Sequence, residues 1–280
     1  MGLSPVLTAL CLYYYMKNQM PETDSRHVDY NTVPDITVVV PVKNEAENIE
    51  PLITEIRAAL DGGAPYEIIY IDDGSTDATP AELEKQFHDG APLRVIRHDK
   101  SCGQSAAVIS GVTVARGHII ATLDGDGQND PADLPEMIKR FRRDSDYDNL
   151  MIAGWRTKRR DILIKRFSSK FANGLRKRLL KDNTPDTGCG IKVFSHASFM
   201  AMPHFDHMHR FLPALIIRGG GEVISVPVNH RHRERGVSNY GTLDRAWASI
   251  WDLMGMIWLL RRGNRPSSIE VRFERERQER

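Results

Sequence analysis

The run DGDGQNDP (Asp124–Pro131) sets two aspartates one residue apart, with an amide side chain two residues further on. Asp124 and Asp126 offer hard carboxylate oxygens and Gln128 a carbonyl oxygen, all in one short loop. Such donors suit Mg²⁺ or Mn²⁺, which take a few carboxylates plus phosphate oxygens rather than a closed protein cage. Gly125 and Gly127 remove side chains where a bulky ligand must approach the backbone. Taken alone, the run would also serve as a plain Asp/Gly turn. A second acidic run, IDDGSTDAT (Ile71–Thr79), weighs toward the ligand reading. There Asp72 and Asp73 could accept hydrogen bonds from a nucleobase N–H or a ribose hydroxyl, and Asp77 reads as a helix cap only.

Positive charge is as unevenly distributed. From Arg156 to Lys181, eleven Lys and Arg face the single acid Asp161, a local charge of +10 in a chain of net +1. A solvated helix face accounts for part of this. Phosphate recognition accounts for more, because arginine forks and lysine ammonium groups bind phosphate oxygens. Anionic lipid headgroups would be drawn to the same patch. A smaller basic group, HRHRERG (His230–Gly236), follows the strand-like EVISVPV, and its histidines do not repeat at metal-ligand spacing. Neither GxGxxG nor GxxxxGK[ST] is present, which argues against a dinucleotide cofactor and a phosphate-loop ATPase.

The elements that must hold these residues alternate. ITVVVPV (Ile36–Val42), YEIIYI (Tyr66–Ile71), LRVIR (Leu93–Arg97), HIIATL (His118–Leu123) and NLMIAG (Asn149–Gly154) read as strands. Helical stretches near 45–60, 77–87, 103–115 and 132–141 lie between them, the third rich in small residues and so close-packed. Alternation of this kind implies a Rossmann-like α/β fold, a mostly parallel sheet with helices on both faces. Ligands then sit beyond the carboxyl ends of the strands, where Lys43, Asn44, Glu45, Asp72, Asp73, Asp124 and Asp126 all fall.

With 280 residues, 27% of them charged, and 38 Lys and Arg against 37 Asp and Glu, the chain is of ordinary globular composition. The even balance argues against a nucleic-acid binder. Cys11, Cys102 and Cys189 form no CxxC pair, so neither a zinc site nor a disulfide framework is expected, and a reducing cytoplasmic setting follows. Residues 1–34 read as a poorly ordered extension. Its apolar run Leu3–Tyr15 falls short of the about 20 residues that span a bilayer, and stays open between an ill-ordered start and a weak surface anchor. Residues 35–240 read as one domain, and 241–280 as an amphipathic helix with a charged tail. At helical spacing Trp247, Trp251 and Trp258 share a face with Met254, while Asp252 lies away from it, and Arg261, Arg262 and Arg265 follow. This pattern fits a helix lying at a membrane surface, or one packed on the core or on a partner.

Six motifs occur in the order found in family 2 glycosyltransferases. They are PVKNEAEN (Pro41–Asn48), DDGSTDAT, DGDGQNDP, GWR (Gly154–Arg156), DTGCGIKVF (Asp186–Phe194) and HRHRERGVSNY (His230–Tyr240). Over about Ile36–Tyr240 the chain most resembles the dolichol-phosphate mannosyltransferase-like, polyprenyl-phosphate branch. The resemblance implies a GT-A fold, a nucleotide-diphosphate sugar donor, a polyprenyl phosphate acceptor and a divalent cation. It places Pro41, Lys43, Glu45 and Asp73 on the nucleoside. Asp124, Gly125, Asp126 and Gln128 go to the metal and donor diphosphate, and Arg156, Lys192 and Arg233 to phosphates. Arg166 and Ser169 go to the acceptor phosphate, with Asp126 and Arg156 as the catalytic groups. Lys43 stands where the family often has Tyr, and Asn239 where it usually has Lys. The expected activity is inverting transfer at the cytoplasmic face of a membrane. The tryptophan helix or a small membrane-protein partner would bring the chain there, and self-association stays open. The alternatives are the same fold acting on a polysaccharide or other hydroxyl acceptor, and a non-catalytic nucleotide-sugar-binding subunit.

Overall fold

The computed structural model describes residues 33–143, 149–156, 184–231 and 242–262, with the backbone alone for 242–250. The extension before residue 33, most of the basic segment after Arg156, and the tail after residue 262 lie outside the described residues.

Strand β1 (Ile36–Val42) is buried along its length except at Pro41. Its side chains alternate between faces, so Val38, Val40 and Val42 join one core and Val39 another. A strand covered on both faces needs apolar residues at every position, and the run ITVVVPV supplies them. The other strands are β2 (Tyr66–Asp72), β3 (Leu93–Arg97), β4 (Ile119–Thr122), β5 (Leu150–Arg156), β6 (Lys192–Ser195) and β7 (Glu222–Val228). Between them run helices α1 (Ala46–Leu60), α2 (Thr79–His88), α3 (Gln104–Thr113), α4 (Leu134–Arg142), α5 (His196–Met200) and α6 (Leu212–Arg218), and α7 (Thr242–Arg261) follows β7.

The seven strands form one sheet in the order β3-β2-β1-β4-β6-β5-β7. Every neighbouring pair is parallel except those of β6, which runs antiparallel to both β4 and β5. The mostly parallel sheet matches the sequence expectation, and β6 is the strand the alternation did not announce. Ile49, Leu52, Ile53 and Ile56 of α1 cover one face with Leu134, Met137 and Phe141 of α4. Ala107, Val108 and Val112 of α3 cover the other, with Phe199, Leu212, Leu215 and Met256. The close packing expected of α3 is present. A Cβ on Gly111 would lie 2.6 Å from Ile71 Cδ1 and 2.7 Å from Val39 Cγ1.

The chain leaves β1 toward β2 and β3 on one side and returns to β4 on the other. The carboxyl ends of β1 and β4 therefore flank the point where strand order reverses, the usual place for a ligand crevice. Helix α7 packs Met256 into the core and points Trp251 and Trp258 outward, 60% and 61% exposed, beside Met254. The side chain of Trp247 lies outside the described residues. No described helix is long and apolar enough to cross a membrane.

Candidate active site

The acidic loop after β4 is built to present Asp124. Its backbone N–H donates to Oδ1 of Asn129, itself 1% exposed, at 2.9 Å. Gly125 lets the loop press onto the end of β1, since a Cβ there would lie 2.3 Å from Val42 Cγ1 and 2.9 Å from the Pro41 carbonyl. Gly190, just before β6, lies against the carboxylate itself: a Cβ would stand 2.2 Å from Asp124 Cγ. Gln104 Nε2 donates to Asp124 Oδ1 at 2.8 Å. Burial pushes the Asp124 carboxyl above its ordinary value, and the like charge of Asp126 pushes it the same way, against the pull of Lys192. Asp126 accepts the backbone N–H of Gln128 at 3.1 Å. Gln128 points its side-chain nitrogen at the Arg231 carbonyl, 3.4 Å away.

This donor set fits a divalent cation. Asp124 is a carboxylate at the edge of the core with no ion pair among the described residues, and a second carboxylate opposes its charge. A cation between the two would relieve both penalties.

The acidic run after β2 is used differently. Both oxygens of Asp73 are occupied: Oδ1 by Cys102 N at 2.8 Å and His98 Nδ1 at 2.7 Å, Oδ2 by Ser101 Oγ at 2.7 Å and Gly103 N at 2.9 Å. Burial alone would raise this carboxyl, but these hydrogen bonds outweigh it and hold it below the usual range. Asp73 thus fixes the loop 98–103 that leads into α3. The loop after β1 is tied to the same region. Asn44, with φ 56°, accepts Thr76 N at 2.8 Å, and Glu45 N donates to Thr79 Oγ1 at 2.9 Å. Asp77 accepts Thr79 N at 2.9 Å, as a cap should, and also Ala46 N at 3.5 Å where α1 begins.

Arg156, at the end of β5, forks onto Asp186 through Nε at 2.5 Å and Nη2 at 2.8 Å. That carboxylate is the main reason its guanidinium is held above its ordinary pKa. Lys192 is 5% exposed, and its ammonium donates to the Cys189 carbonyl. Burial pushes its pKa down. A cavity of about 220 Å³ lies between these groups and α3, lined by Pro41, Gln104, Asp124, Lys192, His209 and Arg210 among others.

Of the residues singled out in the sequence, Pro41, Asp124 and Lys192 therefore share one cavity, with Gly125, Asp126 and Gln128 in the loop that bounds it. Lys43 and Glu45 sit at the end of β1 beside the loop that follows β2. Arg166, Ser169 and Arg233 lie outside the described residues. Sequence reasoning missed Asn129, Gly190, Gln104 and His209. The first two lie inside quoted motifs, where a buried amide and a second glycine were the only signals. The last two approach from elsewhere in the chain.

Residues 37–202 match the model of "Glycosyl transferase family 2". The chain belongs to this family. Among curated family relatives, it is 35% identical over 238 residues to a dodecaprenyl-phosphate galacturonate synthase of Rhizobium johnstonii, covering 83% of this chain and 69% of that protein. It is 31% identical over 217 residues to an undecaprenyl-phosphate 4-deoxy-4-formamido-L-arabinose transferase of Edwardsiella ictaluri, covering 77% and 66%. The chain thus spans about two thirds of the length of these relatives.

Two solved structures share the fold. One is a Pyrobaculum calidifontis mannosyltransferase in complex with GDP-Man and Mn²⁺, with TM-score 0.57, 22% identity, and coverage of 93% of this chain and 74% of that one. The other is a Mycobacterium tuberculosis glucosyl-3-phosphoglycerate synthase with Mn²⁺, UDP and glucosyl-3-phosphoglycerate, with TM-score 0.59, 19% identity, and coverage of 84% and 82%.

Proposed function

We propose that this family 2 member is an inverting, metal-dependent glycosyltransferase. It moves a sugar from a nucleotide-diphosphate sugar to a polyprenyl phosphate at a membrane surface, with residues 35–240 as the transferase domain. The observation that carries this reading is the pair Asp124 and Asp126, at the switch point of the sheet, beside a cavity that also holds the buried ammonium of Lys192. The acceptor class is supported by the two curated relatives, both named for polyprenyl-phosphate substrates. Metal use is supported by the Mn²⁺ named with both fold neighbours.

Asp124, Asp126 and Gln128 would hold Mg²⁺ or Mn²⁺, which supplies charge neutralisation for a departing nucleoside diphosphate. Pro41, Lys43 and Glu45 line the nucleoside side. Asp73 contributes through the loop it holds. Lys192, the N–H groups of Arg156 not given to Asp186, and Arg233 meet phosphate oxygens. Asp186 acts as the group that orients Arg156. A lipid monophosphate is anionic at neutral pH, so its attack on the anomeric carbon needs no general base. The protein's task is alignment of nucleophile and leaving group and stabilisation of the developing charge. A single in-line displacement then inverts the anomeric centre. Arg166 and Ser169 are assigned to the acceptor phosphate. The outward Trp251 and Trp258, with Arg261 and Arg262 after them, suit the headgroup layer where such an acceptor lies.

The test is transfer from nucleotide-diphosphate sugars to polyprenyl phosphate on vesicles containing anionic lipid, with Mn²⁺ varied. Asp126→Asn is expected to lower turnover about 10²–10³-fold and to weaken Mn²⁺ binding measured by titration. Near-wild-type transfer at limiting Mn²⁺ would remove the metal assignment. Failure of the wild-type chain to sediment with the vesicles would remove the surface assignment.

A further inference from the structure

Arg231 lies in the basic run after β7, yet two carboxylates from distant parts of the chain engage its guanidinium. Nη1 donates to both oxygens of Glu55, at 2.7 and 2.8 Å, and Nη2 lies 2.7 Å from Asp130 Oδ1. Glu55 belongs to α1, between Ile53 and Ile56, which the core buries. Asp130 ends the acidic loop and caps the 3-10 turn Pro131–Asp133, accepting Ala132 N at 3.1 Å. The planar fork of an arginine suits such bridging better than the point charge of a lysine.

The backbone of the same segment pairs with the acidic loop. Asn129 and His230 form an antiparallel bridge, and Arg231 N donates to the Gln128 carbonyl at 2.9 Å. Gln128 Nε2 returns toward the Arg231 carbonyl at 3.4 Å, which turns the amide oxygen, the atom a hard cation takes, away from that carbonyl. Asn229 N donates to Asp133 Oδ2 at 2.8 Å, just beyond the loop.

Gln128 and Asn129 are also the residues that fix the acidic pair. Gln128 N donates to Asp126 Oδ1, and Asn129 Oδ1 accepts Asp124 N. A displacement of residues 229–231 would therefore reach each carboxylate through a single intervening residue. Like charge crowds this loop, with Asp124, Asp126, Asp130 and Asp133 inside ten residues. Their repulsion opposes the arrangement that brings Asp124 and Asp126 together. Arg231 offsets it at one end and ties that end to α1.

We propose that Arg231 is a positioning residue: held by Glu55, it sets the acidic loop in the geometry that receives the divalent cation. The inference rests on the metal reading above and adds two residues, Arg231 and Glu55, that do not line the cavity beside Asp124.

The experiment titrates Mn²⁺ into the full chain by electron paramagnetic resonance, alone and with UDP or GDP, at a temperature where each variant is folded. Arg231→Gln is expected to weaken Mn²⁺ binding about 5–10-fold, just below the scale for a partner bonded directly to a metal ligand. Glu55→Gln should weaken it about 2–3-fold, the scale of one partly exposed ion pair. The double variant should match Arg231→Gln alone, because Glu55 acts through Arg231. Arg231→Lys should recover part of the loss. In transfer assays, saturating Mn²⁺ should return kcat of Glu55→Gln to the wild-type value, so that the defect lies in the Mn²⁺ requirement.

Unchanged Mn²⁺ affinity in both single variants, with a wild type that binds Mn²⁺, would overturn the inference and leave the metal reading standing. So would additive losses in the double variant, or a Glu55→Gln defect in kcat that Mn²⁺ does not relieve. No Mn²⁺ binding by the wild type, with or without nucleoside diphosphate, would overturn the metal reading and this inference together. The Glu55 side chain is 39% exposed, so Glu55→Gln decides the matter even if Arg231→Gln fails to fold.

Discussion

Asp73 and Asp124 follow parallel strands on either side of β1, each in an acidic, glycine-containing run, yet their surroundings shift them in opposite directions from the ordinary carboxylate value. Asp73 is surrounded by donors: two backbone N–H groups, a serine hydroxyl and an imidazole, all between residues 98 and 103. Asp124 receives one amide hydrogen bond and faces another carboxylate. The first carboxylate has its charge satisfied by hydrogen bonds of the fold, and the second does not. Residue type and topological position do not separate an aspartate satisfied by the fold from one that is not. The count of donors aimed at each oxygen does.

The sharpest way to break this contrast is Asp124→Asn. It should reduce metal-dependent transfer about 10²–10³-fold while raising stability without added metal by on the order of 1 kcal/mol, because a strained charge is removed from an active site. Turnover with Mn²⁺ and a urea melt in chelator would be read together. A loss of both activity and stability would mean that Asp124 is structural after all.

The counterpart, Asp73→Asn, should act mainly on the fold. An amide nitrogen would turn toward Ser101 Oγ and Gly103 N or toward Cys102 N and His98, leaving buried donors facing a donor. Loss of about 2–3 kcal/mol is expected, the scale of hydrogen bonds to a charged group. Urea denaturation measures it. Mn²⁺ affinity of the folded fraction should change far less than in Asp124→Asn, and an equal change would erase the distinction.

Much of the framework could be read from residue order. β1 falls at the expected residues, 36–42, because a strand buried on both faces leaves an unbroken apolar run; β3 also falls at the expected 93–97, although it is an edge strand in which Leu93 alone is buried. β6 could not be read in this way. Its four residues, Lys192–Ser195, sit inside a motif, and its antiparallel direction is decided by pairing with β4 and β5. Asp124 and Asp126 were legible as candidate site residues from their type and their place after a strand, and the proposal for them rests on that position. The protonation tendency of Asp124 was not, since it depends on Gly190 and Lys192, more than sixty residues away in sequence. His209 was illegible for the same reason: its partner Ser105 is 104 positions away. Arg156 was legible as a cation, but its fork onto Asp186 became visible only with the fold.

Acid titration separates the two aspartates by sign. Asp73 has a folded pKa below its unfolded value of about 3.9, so its contribution to stability is complete above that value and lost as pH falls through the folded one. Asp124 has a folded pKa above the same reference, so between the two values the native state holds the extra proton. Its ionisation therefore lowers stability as pH rises through that window. The penalty from Asp73→Asn and the gain from Asp124→Asn should both be largest at neutral pH. Both should shrink toward their uncharged residuals in acid, one from the destabilised side and the other from the stabilised side. The gain should start to fade first, at the higher pH, because the folded pKa of Asp124 lies above that of Asp73. Urea midpoints of both variants against wild type, between about pH 7 and pH 3 in chelator, would show this order. Fading in the reverse order would mean that Asp124 is the carboxylate satisfied by the fold.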